Sequence, residues 1–408
     1  DHCTVCHKCL NPCPVNIDYG DVSISMRNFL REHGRKRFNA GTSLGMSYLN
    51  LKDPVTIKLM RKFMIDFGYR AQRFGYNFLK KIKAVNYFKK NPPPTVGQKS
   101  IATQVVHFLN RPMPKNIPTK TSRGLLGIED DKTVPIIRNH QIIDDNSEAV
   151  FYFPGCGSER LFSQVGLATQ AMLYEVGAIT VLPPGYLCCG YPQTSSGNHD
   201  KGQEITTDNR VQFHRVANTL NYLDIKTVIV SCGTCMDQLQ KYEFDKIFPD
   251  CRLLDIHEYL MEKGVKMEGV NGQHYMYHDP CHSPMKTYNS LDVTKSLMDK
   301  EVILNDRCCG ESGTFAVSRP DVATQVKMRK QEEIEKGLKE ISPTNKNESV
   351  KILTSCPSCL QGLARYGEDT STTTDYIVVE LAKNNLGDQW LEEYVEKATN
   401  GGIEKILL

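Results

Sequence analysis

Of the 15 cysteines in this chain of 408 residues, 14 fall into groups with repeated spacing. The stretch Pro183-Pro-Gly-Tyr-Leu-Cys-Cys-Gly190 sets two vicinal thiols before a glycine, and Asp306-Arg-Cys-Cys-Gly310 repeats the device. Each pair stands between a lone upstream cysteine and a downstream Cys-x-x-Cys. One set is Cys156, Cys188, Cys189, Cys232 and Cys235; the other is Cys281, Cys308, Cys309, Cys356 and Cys359. Deprotonated thiols are soft metal ligands. Five per set exceed what a tetrahedral zinc takes, so the pattern favours iron–sulfur chemistry over a zinc protein whose cysteines only staple loops. A disulfide framework suits small secreted domains, and this chain is large.

A third group opens the chain. Cys3-x-x-Cys6-x-x-Cys9-x-x-x-Cys13-Pro14 is the run that holds a cubane 4Fe–4S cluster in bacterial ferredoxins. In two-cluster ferredoxins the fourth cysteine serves the other cube. Cys13 therefore either closes its own cluster or belongs with a second motif upstream of Asp1. The abrupt opening Asp1-His-Cys3 favours the second choice, and the expectation is a fragment or the visible part of a longer polypeptide. Val15, Asn16 and Ile17 fit the approach to a following helix, with Asp18 as its cap.

The thiols need elements to bring them together. Short β runs alternate with helices from Ala149 onward. Val150-Phe-Tyr-Phe153 leads to Cys156, a helix covers about Ser163 to Val176, and Ile179-Thr-Val-Leu182 leads to the first vicinal pair. A helix from about Lys201 to Leu223 precedes Thr227-Val-Ile-Val230, which runs into Cys232. The second half repeats the order: His274-Tyr-Met-Tyr277 before Cys281, a helix from about Arg319 to Lys339, and Lys351-Ile-Leu-Thr354 before Cys356. Alternation of this kind predicts α/β units with small, mostly parallel sheets, whose ligands gather at the carboxyl ends of the strands. Gly190 and Gly310 suit close backbone approach to a cluster. Helix N-termini there would help hold thiolates. The expected organisation is a ferredoxin-like motif with a basic helical region (1–94), a linker (95–147) and two tandem pseudo-symmetric domains (148–270 and 271–408).

Charge is uneven. Between Arg31 and Lys120 stand 19 Lys and Arg against three acids, in a chain whose net charge is only +3. Within this segment Met60, Phe63, Phe67, Phe74, Phe78, Ile82 and Val85 recur at helical spacing, interleaved with Arg61, Lys62, Arg70, Arg73, Lys80, Lys81 and Lys83. Two readings stay open: an aromatic stripe packed on the protein with solvated charges, or an amphipathic helix lying on an anionic membrane or partner helix. Asn91-Pro-Pro-Pro94 should end the helical region. No apolar run is long enough to cross a bilayer. No nucleic-acid-binding module is present, so nucleic acid is not an expected partner.

At the cysteine sets the chain resembles the cysteine-rich CCG domain family. Its members include the CCG-bearing subunit of heterodisulfide reductase and the iron–sulfur subunits of anaerobic glycerol-3-phosphate dehydrogenase, glycolate oxidase and lactate-utilisation enzymes. Phe153-Pro-Gly-Cys156, Leu182-Pro-Pro-Gly-Tyr-Leu-Cys-Cys-Gly-Tyr-Pro192 and Asn110-Arg-Pro-Met-Pro114 look most like the C-terminal half of FAD-linked oxidases of the D-lactate dehydrogenase type. The resemblance implies an oxidoreductase with a noncubane 4Fe–4S cluster on each five-cysteine set. An ordinary cubane in the second domain stays open, because 31 residues separate Cys156 from Cys188 and only 26 separate Cys281 from Cys308. It also implies an electron-transfer component of a flavin-linked, 2-hydroxyacid dehydrogenase-type enzyme. FAD would sit on a partner or an upstream domain, and electrons would pass from the cubane to the two CCG clusters and on to a quinone, a partner protein or a disulfide. The alternative is a heterodisulfide reductase-type catalytic subunit that cleaves a disulfide at its paired clusters. Further iron–sulfur, membrane or quinone partners would follow, in the cytoplasm or at the membrane's inner face.

Some residues have looser claims. His278 and His282 flank Cys281 and are candidates to donate to cluster sulfur or carry protons, against a plain packing role. His199 and His257 have weaker claims. Glu311, Ser312 and Thr314, matched by Thr194, Ser195 and Ser196, are candidate donors behind the vicinal pairs. Cys251 is read as a structural thiol at a strand edge.

Overall fold

The computed structural model of the protein describes residues 3–86, 97, 100–115, 117–267, 272–311, 314–341 and 348–408. Asn91–Pro94 and Ser312 lie outside them. The central strand of the first half, β2 (Ala149–Phe153), reads Ala-Val-Phe-Tyr-Phe with every residue buried. That is the pattern of a parallel strand covered on both faces. It lies between β3 (Ile179–Val181) and β4 (Ile225–Val230), with β5 (Arg252–Asp255) beyond β4, all parallel. In the second half β6 (Gln273–His278) lies between β7 (Val302–Leu304) and β8 (Ser349–Thr354), with β9 (Thr373–Tyr376) beyond β8, again all parallel. The orders β3-β2-β4-β5 and β7-β6-β8-β9 are the same topology written twice. In each, the chain leaves the first strand toward one side and returns to the other. The switch point thus lies between β2 and β4, and between β6 and β8, where a crevice opens at the strand ends.

The first sheet has two additions. β1 (Thr133–Ile137) pairs antiparallel with β3, and β10 (Ile403–Leu407) pairs antiparallel with β1. The C-terminal strand therefore returns across the molecule to close the edge of the first sheet. The stretch read as a linker also carries helices at Ile101–Phe108 and Ser122–Leu126.

The halves share one core. Val165, Leu173, Ile229 and Leu260 from the first join Tyr275, Leu297, Leu381 and Trp390 from the second in a single buried cluster. The Ser163–Glu175 and Ile377–Leu386 helices pack on each other within it.

The basic segment forms a long helical rod. The Pro54–Arg61 helix passes through a π turn at Lys62–Phe67 into the Gly68–Lys81 helix. Its inner face is Ile57, Arg61, Ile65, Gln72 and Tyr76. Gln72 accepts from Met113 N at 2.8 Å and donates to Arg111 O at 2.7 Å, while Tyr76 donates to Glu368 at 2.8 Å. Phe63, Phe67, Phe74, Phe78 and Ile82 all face outward. Of the stripe read from the sequence, Met60 and Val85 pack on the body, while its four phenylalanines and Ile82 do not.

A shared core makes the halves one cooperative unit. Truncating the fully buried Leu381 to Ala should cost about 3 kcal/mol. Denaturant melts followed by far-UV dichroism and by fluorescence of Trp390 should shift together in one transition; two separated transitions would contradict the shared core.

Candidate metal centres

Each five-thiol set is assembled at the carboxyl ends of its strands. Cys156 follows β2 at the start of a π turn, Gly157–Leu161. Cys188 and Cys189 follow β3, and Cys232 caps the Gly233–Leu239 helix after β4. In the second half Cys281 follows β6, Cys308 and Cys309 follow β7, and Cys356 caps the Pro357–Ala364 helix after β8. All ten sulfurs are buried or half-buried, and none is in a disulfide.

The thiols touch in the same sequence at both sites. Cys156 contacts Cys188, Cys188 contacts Cys189, Cys189 contacts Cys235, and Cys235 contacts Cys232. At the second site the chain runs Cys281, Cys308, Cys309, Cys359, Cys356, with Cys309 and Cys359 sulfurs 3.5 Å apart. The supports match as well. Tyr152 bonds Ser231 at 2.8 Å where Tyr277 bonds Ser355 at 3.1 Å. Tyr242 donates to Cys189 O at 2.9 Å where Tyr366 donates to Cys309 O at 2.9 Å. Each Cys-x-x-Cys turn meets the loop after the other half's lone cysteine across the pseudo-symmetry axis. A Cβ on Gly157 would lie 3.0 Å from the Pro357 side chain, and one on Gly233 would lie 1.6 Å from His282 O. The two sites therefore face each other.

Crowding governs the electrostatics. Hydrogen bonds from Cys156 and Cys189 pull the Cys188 thiol well below its ordinary range. Cys308 and Cys359 do the same for Cys309. Contact with Cys235 takes Cys232 down to about 6. Their neighbours Cys156, Cys235 and Cys359 are pushed up instead, by those same contacts and by burial. Two thiolates 3.5 Å apart would repel by about 5 kcal/mol at an effective dielectric of 20. Adjacent thiols in the bare site therefore cannot all ionise together; a bound cationic core would release the rest.

The donor sets fit an iron–sulfur group. Beside the thiols are glycines where a side chain would intrude: a Cβ on Gly155 would lie 2.7 Å from the Cys235 sulfur, and one on Gly362 3.2 Å from the Cys309 sulfur. Gly190 and Gly310 follow the vicinal pairs at φ +88° and +76°, which only glycine adopts without strain. His278 is buried with Nδ1 2.9 Å from Asn305 O and 3.0 Å from Lys330 Nζ. Its Nε2 has no hydrogen-bond partner of its own and lies in one group with Cys309 and Cys359, so it is placed to donate to sulfur. Burial, first, and Lys330 depress its pKa.

The N-terminal loop curls with Val5 and His7 at φ +56°, a costly conformation for a β-branched residue. Val5 N donates to the Cys3 sulfur and Ile17 N to the Cys13 sulfur, both at 3.3 Å. Cys9 lies 3.8 Å from Asp18, which caps the Tyr19–Glu32 helix as expected. Cys6 turns away to meet Cys281, a contact that brings its thiol down to about 5. His282 holds this loop in place: its Nε2 donates to Val5 O at 2.7 Å, and its Nδ1 pairs with Asp237 of the first half. Lys8 adds a bond to Asp306 O at 2.9 Å.

Several sequence candidates take other work. Glu311 is buried in ion pairs with Lys327 and Arg365. Thr194, Ser195 and Ser196 spend their hydroxyls on carbonyls one turn back, and His257 pairs with Asp255 at 2.6 Å. His199 caps no sulfur; its backbone N–H donates to the Asn28 side chain. Cys251, just before β5, packs on the first core, and burial raises it to about 11. Sequence reasoning missed the Cys6–Cys281 contact and the role of His282 as a three-way clamp, since neither leaves a local signal.

A family model described as the cysteine-rich domain matches residues 150–240 and again 275–364, and one described as a domain of unknown function (DUF3400) matches 364–408. The CoM/CoB fumarate reductase of Methanothermobacter marburgensis has a subunit that is 29% identical over 197 residues, 45% of this chain and 37% of that protein. A probable glycolate oxidase iron–sulfur subunit of Bacillus subtilis is 22% identical over 379 residues, covering 88% of this chain and 75% of that protein. Lactate utilization protein A of an Exiguobacterium species is 24% identical over 201 residues, 43% of this chain and 77% of that protein. The chain thus spans little more than a third of the methanogen relative it matches. No described helix is long and apolar enough to cross a membrane.

Gly155→Val tests the cradle at the first site. Its side chain would enter the space against Cys235, so iron and acid-labile sulfide per chain should fall by about a third with secondary structure unchanged, if three clusters are held. Full iron content in this variant would contradict the fit.

Proposed function

The chain carries two tandem cysteine-rich CCG domains, and from that premise we propose that it is the electron-transfer part of a flavin-linked oxidoreductase. Cys3, Cys6, Cys9 and Cys13 hold a cubane 4Fe–4S cluster in this reading. Cys156, Cys188, Cys189, Cys232 and Cys235 hold a second cluster, and Cys281, Cys308, Cys309, Cys356 and Cys359 a third, both noncubane. When bound, such clusters take and give single electrons at potentials set by hydrogen bonds and burial. Electrons would arrive from a flavin on a partner or preceding domain acting on a 2-hydroxyacid, and leave to a quinone or a partner protein at the membrane's inner face.

One observation carries the relay reading: His282, next to Cys281 of the second five-thiol set, donates to Val5 O at 2.7 Å, next to Cys6 of the ferredoxin loop. Electron transfer falls steeply with distance, and this contact makes the two sets neighbours. His282 and Lys8 fix the loop against the second half. Tyr366 donates to Cys309 O and Tyr277 bonds Ser355 next to Cys356, bracing the second set, and His278 is positioned to stabilise charge gained by sulfur. Disulfide cleavage needs a substrate between the facing sites. The contact of Gly233 with His282 and of Gly157 with Pro357 fills part of that space, which supports relay over cleavage.

Cys188→Ser and Cys308→Ser, purified anaerobically and reduced, should each lose one EPR signal and keep the others; retention of every signal would refute the ligand sets. A soluble quinone should reoxidise the reduced protein and a disulfide should not. Rapid oxidation by a disulfide alone would transfer the assignment to the cleavage reading.

A further inference from the structure

The helical rod from Pro54 to Lys81 presents a surface that no part of the cluster chemistry uses. Val55, Leu59, Phe63, Phe67, Phe74, Phe78 and Ile82 are each more than half exposed, and Phe74 reaches 77%. Single exposed apolar residues are ordinary, but a contiguous row of this kind marks an interaction site. The row is held straight by the π turn. In an α-helix each step of four residues overshoots a full turn by roughly 40°, so Val55, Leu59, Phe63 and Phe67 would spiral off one side. A π turn closes i→i+5 and winds less per residue, which brings Phe67, and with it Phe74 and Phe78, back into line with Val55 and Leu59. Phe63 and Phe67 stack with centroids 6.1 Å apart. The rod is roughly 42 Å long, from its 28 residues at 1.5 Å each.

Charge completes the surface. Lys58, Lys62, Arg70, Lys81 and Lys83 are exposed along the rod. Lys58 pairs with Glu129; Lys62, Arg70, Lys81 and Lys83 form no ion pair with a described residue. Asp53 and Asp66 are the acids of the stretch, and Asp53 is spent on capping the rod at Thr56. The opposite face is anchored to the body, so the rod cannot roll over to hide its row.

We propose that this rod is an interfacial element that seats the protein on an anionic lipid bilayer. Its aromatic row enters the boundary between headgroups and acyl chains, and the flanking bases lie among anionic headgroups. The row carries uncompensated positive charge along its flanks, so a second copy of the same surface would be repelled. Seating of this kind needs no spanning segment, and no described helix is one. The docking stands independently of which clusters are held.

Flotation with phosphatidylcholine vesicles, with and without phosphatidylglycerol, tests it on protein purified anaerobically. The protein should float with the anionic vesicles and much less with the neutral ones. Phe67→Glu with Phe74→Glu should reduce the bound fraction at least about tenfold. Lys62→Glu, Arg70→Glu and Lys81→Glu should each weaken anionic binding by about fivefold or more. Val211→Glu, which changes an exposed apolar residue elsewhere, should bind as wild type. Iron content and dichroism, unchanged in every variant, show that the fold and clusters are intact. No flotation on any vesicle, or flotation indifferent to the rod variants, overturns the proposal. So does saturation of the row by an acidic soluble protein without lipid binding.

Discussion

Crowding of thiols at the ends of parallel strands is the constraint on which the rest of this structure depends. Sulfurs 3.5 Å apart in a buried site cannot all ionise, since each added thiolate would cost about 5 kcal/mol in repulsion from its neighbour. In the bare sites neighbouring thiols are therefore driven apart: Cys188, Cys232 and Cys309 are drawn down, while the same contacts and burial push Cys156, Cys235 and Cys359 up. Only a polycationic core would allow every thiol to act as a ligand. The backbone is arranged for such a guest, with Gly155, Gly190, Gly310 and Gly362 at the points where a side chain would collide with sulfur or with the supporting helix.

Two copies of this arrangement face each other on one hydrophobic core. The repeated tyrosines that brace them, Tyr152 with Tyr277 and Tyr242 with Tyr366, show that the halves share their scaffold down to single hydrogen bonds. The differences lie in what is added. The first half gains β1 and β10 and the Arg123–Glu159 pair behind Cys156, while the second receives the ferredoxin loop, His278 and buried Lys330. His282 joins the three parts, since its two ring nitrogens reach Asp237 and Val5 from a position next to Cys281. That single side chain couples the first half, the second half and the N-terminal loop.

Much of this was legible in the residues alone. The parallel strands β2, β4, β6 and β8 announce themselves as apolar runs that deliver a cysteine, and the long helices 199–219 and 320–341 by their periodicity. The doubled thiol spacing carried the two sites, because ligand sets need fixed residue types at fixed places. Contacts between distant segments left no such trace. β10 pairs with β1 across some 270 residues, and its sequence Ile-Glu-Lys-Ile-Leu gives no hint of its partner. The hydroxyls of Thr194, Ser195 and Ser196 resembled donors to sulfur by position, yet local carbonyls one turn back satisfy them first. The aromatic stripe of the rod was visible as helical, but its direction was not. Periodicity identifies a face without saying whether protein or something outside it lies against that face.

The central claim is that all three thiol groups hold iron–sulfur clusters. The direct measurement is iron, acid-labile sulfide and zinc per chain in protein purified without oxygen. Three clusters predict about twelve iron and twelve sulfide, four of each per cluster, with zinc near zero. A colourless protein with zinc in place of iron would contradict the account at its root.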